Sequence, residues 1–168
     1  IRQNVSTLKI LINQLLDFRK IERGKLQFNP YPVNVSDVVG DIYSRFKCLS
    51  ESRNIIYSIN TPEEAAVSMI DISLFEKVIV NVISNAFKYT PQGGSISVYV
   101  ANDANTITVS VQDTGEGISE EELSHLFERF YQGKEHNKLK QAGTGIGLSM
   151  CKNIIAVSYT HLRAHETR

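Results

Sequence analysis

Apolar residues recur along the chain with two different periods, and the switches between them mark out its elements. Over "NVSTLKILINQLLDFRKIE", residues 4–22, Val5, Leu8, Ile12 and Leu15 recur at alternating three- and four-residue steps. That is the seam of a helix that packs on other helices, and Leu11, Leu16, Phe18 and Ile21 widen it. A helix this apolar needs a helical hairpin or a dimeric bundle to cover it. Gly24 ends it, and "FNPYPVNV" is expected to run extended because Pro30 and Pro32 bar helix, so that a globular domain begins near Val33. Ser36 is the expected N-cap of the next helix, with Val39, Ile42, Phe46 and Leu49 at helical spacing.

The period then shortens. "NIIYSIN" is predicted as a short strand and Met69-Ile70 as a second. A long helix follows from Asp71 to about Tyr89, stopped by Pro91 and Gly93-Gly94, with Phe75, Val78, Ile79, Val82 and Ala86 as its core face. "SISVYVA" and "TITVSV" alternate strictly on either side of "NDAN", which predicts a hairpin. Ser119 and Glu122 have the spacing of a capping box that opens a short helix reaching "LFERFY", and a last helix starts among the glycines at 143–147 and runs through Ile154 and Ile155. Helix, strand, helix, hairpin, helix is an α+β order: a mixed sheet with helices on one face. No internal repeat interrupts it.

Composition narrows the classes of partner. At 168 residues and 42% apolar content the chain can bury the core of one domain with an appended helix. Eighteen basic and eighteen acidic residues cancel, so no overall field favours nucleic acid or an anionic membrane, and partners must be read from a site. Cys48 and Cys151 lie far apart without metal-ligand spacing, which suits reduced core thiols. No apolar run approaches the roughly 18 residues of a membrane span. The chain opens inside a helix, as an excised cytoplasmic piece of a larger protein would.

Three features carry chemistry. In "FEKVIVNVISNAFKYT", Asn81, Asn85 and Lys88 fall on one stripe at i, i+4 and i+7, although asparagine is a poor helix former. A solvated polar face is the plain reading of one such asparagine; two with a lysine suit a metal–phosphate group, the amide oxygen as a hard ligand for Mg²⁺ and the ammonium as a point charge. Asp113 directly follows a strand and precedes Gly115 and Gly117. A carboxylate there can accept a hydrogen bond from an exocyclic amine while glycine lets backbone approach a flat ring, a combination that prefers adenine to guanine; an Asp/Gly-rich turn is the plain alternative. "GTGIGLS" puts Gly143, Gly145 and Gly147 at a helix start, where unpaired N–H groups favour an anion, and it is neither a Walker A loop nor a dinucleotide-binding turn.

Together these motifs resemble those of sensor histidine kinases of bacterial two-component systems. "NVISNAFKYT" resembles their N box, "DTGEGI" the G1 box, "LFERFY" the F box and "GTGIGLS" the G2 box, over about residues 22–156. The resemblance implies the Bergerat ATP-binding fold, with Asn85 coordinating Mg²⁺ and Asn81, Lys88 and Tyr89 lining phosphates and ribose. Asp113 would hold the adenine amine beside Gly115 and Gly117. Phe127 and Phe130 would anchor one end of an ATP lid, residues 131–142, with core packing the equal alternative for both rings. Gly143, Thr144, Gly145, Ile146, Gly147 and Leu148 would close on the phosphates. ATP and Mg²⁺ are the implied cofactors. A response-regulator receiver domain and a homodimer through the dimerisation hairpin are the implied partners, in a parent anchored in the bacterial inner membrane. Gyrase- and Hsp90-type ATPases of the same fold place a glutamate one turn before the Mg²⁺ asparagine. Here that position is Asn81, which cannot take a proton from water, so phosphoryl transfer to a protein side chain is favoured over hydrolysis. A nucleotide-binding module without catalysis is the third reading.

The family pattern divides the chain. Residues 1–24 resemble the second helix of the dimerisation and phosphotransfer hairpin, 25–35 a linker and first strand, and 36–156 the catalytic domain. The phosphoacceptor histidine belongs on the preceding helix, and none of His125, His136, His161 or His165 replaces it, so no catalytic residue is assigned and the chain alone is expected to be inactive. After "CKNIIA" the family adds a glycine turn and two strands, whereas "VSYTHLRAHETR" resembles a translated sequencing-library adaptor. Residues 157–168 are therefore expected to be a non-native tail, the last two strands missing, and stability low.

Overall fold

The computed structural model describes residues 27–103, 106–131 and 145–166, together with Ile12, Leu16 and Arg19, which are helical; in the last helix, side chains are described through Ser158. Contacts divide the chain into two compact units, Asn29–Ile118 and the combination of residues 1–28 with 119–168.

The first of these holds two sheets where the sequence predicts one. β1 (Tyr31–Asn34) pairs antiparallel with β3 (Val67–Ile70) in a separate ribbon, Tyr31 opposite Ile70 and Asn34 opposite Val67. Pro32 is tolerated there because a two-stranded ribbon is all edge. The larger sheet has the order β2 (Ile56–Asn60), β4 (Ser95–Asp103), β5 (Thr106–Asp113), with β2 parallel to β4 and β5 antiparallel to it, a mixed sheet as expected.

The helices begin and break at points the periodicity does not show. α1 (Val35–Arg45) is capped by Asn34 and not Ser36: Asn34 Oδ1 accepts the N–H groups of Ser36 at 3.3 Å and Ala66 at 3.1 Å. The same side chain thus starts the helix and ties it to the segment leading into β3. The expected single helix through Leu49 breaks at Phe46, whose N–H turns back to the Tyr43 carbonyl, and α2 (Lys47–Ser52) follows. Phe46 and Leu49 still reach the core, which is why their spacing looked continuous. α3 (Ile72–Tyr89) starts as predicted, with Asp71 Oδ1 accepting the Leu74 N–H at 3.2 Å. Its buried face is Leu74, Ile79, Ile83, Ala86 and Phe87; Ile83 is fully buried where the sequence suggested Val82.

These elements cover one face of the larger sheet. Val35, Val38, Val39 and Ile42 of α1 and Ile79, Ile83, Ala86 and Phe87 of α3 form one cluster with Ile96, Val98 and Val100 of β4. The alternate residues face the other way, where Ser58 and Ser97 hydroxyls meet at 3.0 Å across the parallel pair. Phe87 lies between Phe46, stacked at 5.5 Å between centroids, and Tyr57, edge-on at 5.0 Å, and Tyr57 stacks in turn on Tyr43 at 4.3 Å. The Tyr57 hydroxyl is buried without a hydrogen-bond partner. Burial first, and the neighbouring Tyr43 second, push its pKa above the ordinary phenol value.

In the other unit the capping box forms as predicted and opens α4 (Glu120–His125): Ser119 Oγ accepts the Glu122 N–H at 3.3 Å, and Glu122 Oε2 accepts the Ser119 N–H at 3.2 Å. α5 (Gly147–Glu166) starts at the predicted glycines and runs on as helix through the stretch expected to be a tail.

Candidate functional site

The polar stripe of α3 and the loop after β5 meet within the unit Asn29–Ile118. Asn81, Asn85, Lys88 and Tyr89 are all half-buried along the second half of α3, so they are neither core nor a fully solvated face. Lys88 Nζ lies 4.9 Å from the centre of the Tyr89 ring, which keeps the ammonium near the helix end. The helix ends at Tyr89 because the chain turns extended at Thr90, and Arg53 donates to the Phe87 carbonyl at 2.8 Å, satisfying one of the last-turn acceptors.

The loop after β5 is packed directly against that helix end. A Cβ on Gly115 would lie 2.8 Å from the Tyr89 carbonyl oxygen and 2.7 Å from Asp113 Oδ1, so only glycine fits between them. Asp113 is exposed, and its Oδ1 accepts the Gly115 N–H at 2.8 Å. One carboxylate oxygen is therefore engaged by the loop, and Oδ2 is not part of that bond. Gly117 lies two residues further along the same loop.

Two residues that the sequence did not assign to the site hold this corner. Thr114 is fastened to the start of β4: its N–H donates to the Ser95 carbonyl at 3.1 Å and its Oγ1 accepts the Ser95 N–H at 2.9 Å. Gly94 is equally confined, since a Cβ there would lie 2.6 Å from Thr90 Cγ2 and 2.9 Å from Thr114 Oγ1. The glycine pair at 93–94 was legible as a helix stop. Its second role, close approach to a loop twenty residues away, leaves no local signal.

Among the described residues no group of three His, Cys, Asp or Glu could hold a metal ion. The hard oxygen donors on the polar stripe are the amides of Asn81 and Asn85. Neutral amides suit a cation that arrives with its own phosphate oxygens better than a metal held by protein alone.

In the other unit, Phe127 and Phe130 follow α4. Both rings are exposed, at 47% and 67%, which removes core packing as their role. Lys152 of α5 sets its Nζ 5.7 Å from the centre of the Phe127 ring. Gly145, Ile146, Gly147 and Leu148 form the approach and first turn of α5, where Ile146 is buried and its carbonyl accepts the Met150 N–H at 2.9 Å and the Ser149 hydroxyl at 2.8 Å. Gly143 and Thr144, with residues 132–142 of the expected lid, lie outside the described residues. No helix among the described residues is long and apolar enough to cross a membrane.

The family model described as "Histidine kinase-, DNA gyrase B-, and HSP90-like ATPase" matches residues 70–167. Histidine kinase P4 of Formosa agariphila is 35% identical over 172 aligned positions, which take in 100% of this chain and 13% of that protein. The catalytic domain of histidine kinase ThkA superposes with a TM-score of 0.66 at 27% identity, covering 77% of this chain and 80% of that one. Full-length ShkA, solved in complex with AMPPNP, shares the fold with a TM-score of 0.80 at 20% identity, over 92% of this chain and 32% of that one. The chain thus spans a small part of the full-length relatives.

Proposed function

The chain belongs to the family of histidine kinase-, DNA gyrase B- and HSP90-like ATPases as an ATP-binding catalytic domain of the histidine-kinase type, and from that membership we propose how its residues divide the nucleotide. Asp113 accepts the adenine amine through Oδ2, the oxygen not engaged by Gly115, while Gly115 and Gly117 let the loop backbone lie beside the ring. Asn81, Lys88 and Tyr89 line ribose and phosphates. Asn85 contributes one oxygen to a Mg²⁺ ion whose other ligands come from the phosphates and water, and the ion, when bound, offsets charge on the transferring group. Gly143, Thr144, Gly145, Ile146, Gly147 and Leu148 are assigned to the phosphates from the motif they form, since glycines ahead of a helix suit an anion. Phe127 and Phe130 flank the lid.

The observation that carries this reading is the contact of Gly115 with the Tyr89 carbonyl, which brings the amine-accepting carboxylate and the end of the Asn/Lys stripe into one corner of one unit. With Asn81 one turn ahead of Asn85, no carboxylate stands where a hydrolytic base would be needed. The chemistry proposed for the parent protein is therefore transfer of the γ-phosphoryl from ATP to a histidine nitrogen, with ADP leaving and the phosphate passing on to an aspartate of a receiver domain. The parent would dimerise through the hairpin to which residues 1–24 belong, and would lie on the cytoplasmic side of the membrane. The test supplies the chain with γ-labelled ATP, Mg²⁺ and a separately produced histidine-bearing hairpin. Label on the hairpin supports the kinase reading; steady phosphate release with an unlabelled hairpin supports hydrolysis instead.

A further inference from the structure

We propose that Gly145 is a positioning residue, acting through a backbone clasp with Phe130 that sets the start of α5 before any nucleotide arrives. The inference rests on the nucleotide reading above but assigns Gly145 a different task from touching phosphate. Phe130 and Gly145 are fifteen positions apart in sequence, and the Phe130 N–H donates to the Gly145 carbonyl at 2.9 Å. Both residues are left-handed, with φ of 61° at Phe130 and 65° at Gly145. A Cβ on Gly145 would lie 2.6 Å from both Cα and the carbonyl carbon of Phe130 and 3.0 Å from the Tyr131 nitrogen. All three are backbone atoms, so no side-chain rotation makes room.

Phe130 adopts a left-handed conformation that is unfavourable for a bulky side chain, and its ring is exposed, so burial of the ring does not hold it there. The hydrogen bond to Gly145 is what the odd backbone makes possible. On the other side of the clasp, Ile146 is buried and its carbonyl accepts the first bonds of α5. Phe130, Gly145 and Ile146 therefore form one short relay that fixes where the first turn of α5 begins, and with it the direction of that turn's unpaired N–H groups. Losing the clasp should cost recognition of phosphates and spare recognition of adenine, which belongs to Asp113.

The test uses the whole 168-residue chain and its Gly145→Ala variant. In the absence of nucleotide, the Phe130 amide should exchange slowly with solvent in the wild type and at least tenfold faster in G145A. By calorimetry, G145A should bind a non-hydrolysable ATP analogue at least tenfold more weakly while its adenosine affinity stays within twofold. Gly93→Ala is the control: it also meets a positive φ, 82°, but in open space, so it should lower the melting temperature and leave both affinities unchanged. Rapid exchange of the Phe130 amide in the wild type overturns the proposal, and this measurement decides it even if G145A fails to fold. Equal loss of both ligands, or none of either, also overturns it. A wild type that binds neither ligand while its Phe130 amide is protected sinks the nucleotide reading and the positioning role with it, and leaves the clasp as a feature of the fold.

Discussion

Replacing Asp113 with Asn tests the adenine assignment with almost no change of shape. Asp113 Oδ1 accepts the Gly115 N–H at 2.8 Å, a bond that an asparagine oxygen can keep. Keeping it forces the asparagine NH₂ into the position of Oδ2, so a donor would face the adenine amine in place of the proposed acceptor. The loss is one hydrogen bond to a charged acceptor, worth about 1.5–3 kcal/mol. Because Asp113 is exposed, solvent screening favours the lower half of that range, about 1.5–2 kcal/mol. At about 1.4 kcal/mol per decade, D113N should bind an ATP analogue roughly 10- to 30-fold more weakly. Its melting temperature should match the wild type, since the bond to Gly115 survives. The NH₂ should also meet the carbonyl of guanine, so preference for ATP over GTP should shrink by more than the ATP affinity falls. Calorimetry with both nucleotides reads all three quantities. An unchanged ATP affinity with an intact melt would refute the reasoning, because the substitution would then have reversed a polar contact without consequence.

Other substitutions probe the supports of the site. Gly115→Ala drives a Cβ to 2.8 Å from the Tyr89 carbonyl oxygen and should destabilise the chain by about 1–3 kcal/mol in urea denaturation; an unaltered midpoint would mean the corner is looser than its geometry. Asn85→Ala should remove the Mg²⁺ enhancement of ATP-analogue affinity and leave adenosine affinity alone, and a persisting Mg²⁺ effect would reassign the ligand. Tyr57→Phe deletes a buried hydroxyl with no partner and should raise stability by about 1 kcal/mol at neutral pH. Because burial raises the folded-state pKa of Tyr57, the stability tied to its neutral phenol is complete below about pH 10 and is lost as pH climbs past it; Y57F should fall less steeply with alkali, and parallel curves would count against that burial.

Elements whose evidence is local were legible in the sequence. The capping box at Ser119 and Glu122, the start of α3 at Asp71 and the alternating hairpin each announce themselves within a few residues, and all three formed. The break at Phe46 was hidden because Val39, Ile42, Phe46 and Leu49 keep one spacing across two helices that share one core. Asn34 displaced Ser36 as a cap because its side chain also serves the Ala66 N–H, thirty-two residues on, and no local rule weighs that bond. The separation of the β1–β3 ribbon from the main sheet depends likewise on pairing across a long interval. At the site, Asp113 and Gly115 could be named from chemistry and backbone freedom. Thr114 and Gly94 could not, since what marks them is each other and Ser95.

The larger sheet joins a local hairpin to a distant parallel strand, and this division sets an order of assembly. β4 and β5 are separated by only two residues in sequence, so they can pair on the microsecond scale of hairpins and bring Asp113 opposite Ile96 at once. β2 must wait for the chain through β3 and α3 to be laid down before it meets β4, and the Tyr89 carbonyl arrives only with that crossover. Asp113 is therefore placed early and Gly115 receives its neighbour late. Weakening the hairpin should slow folding, whereas crowding Gly115 should chiefly hasten unfolding, so the two halves of one corner report on opposite limbs of the same kinetic experiment.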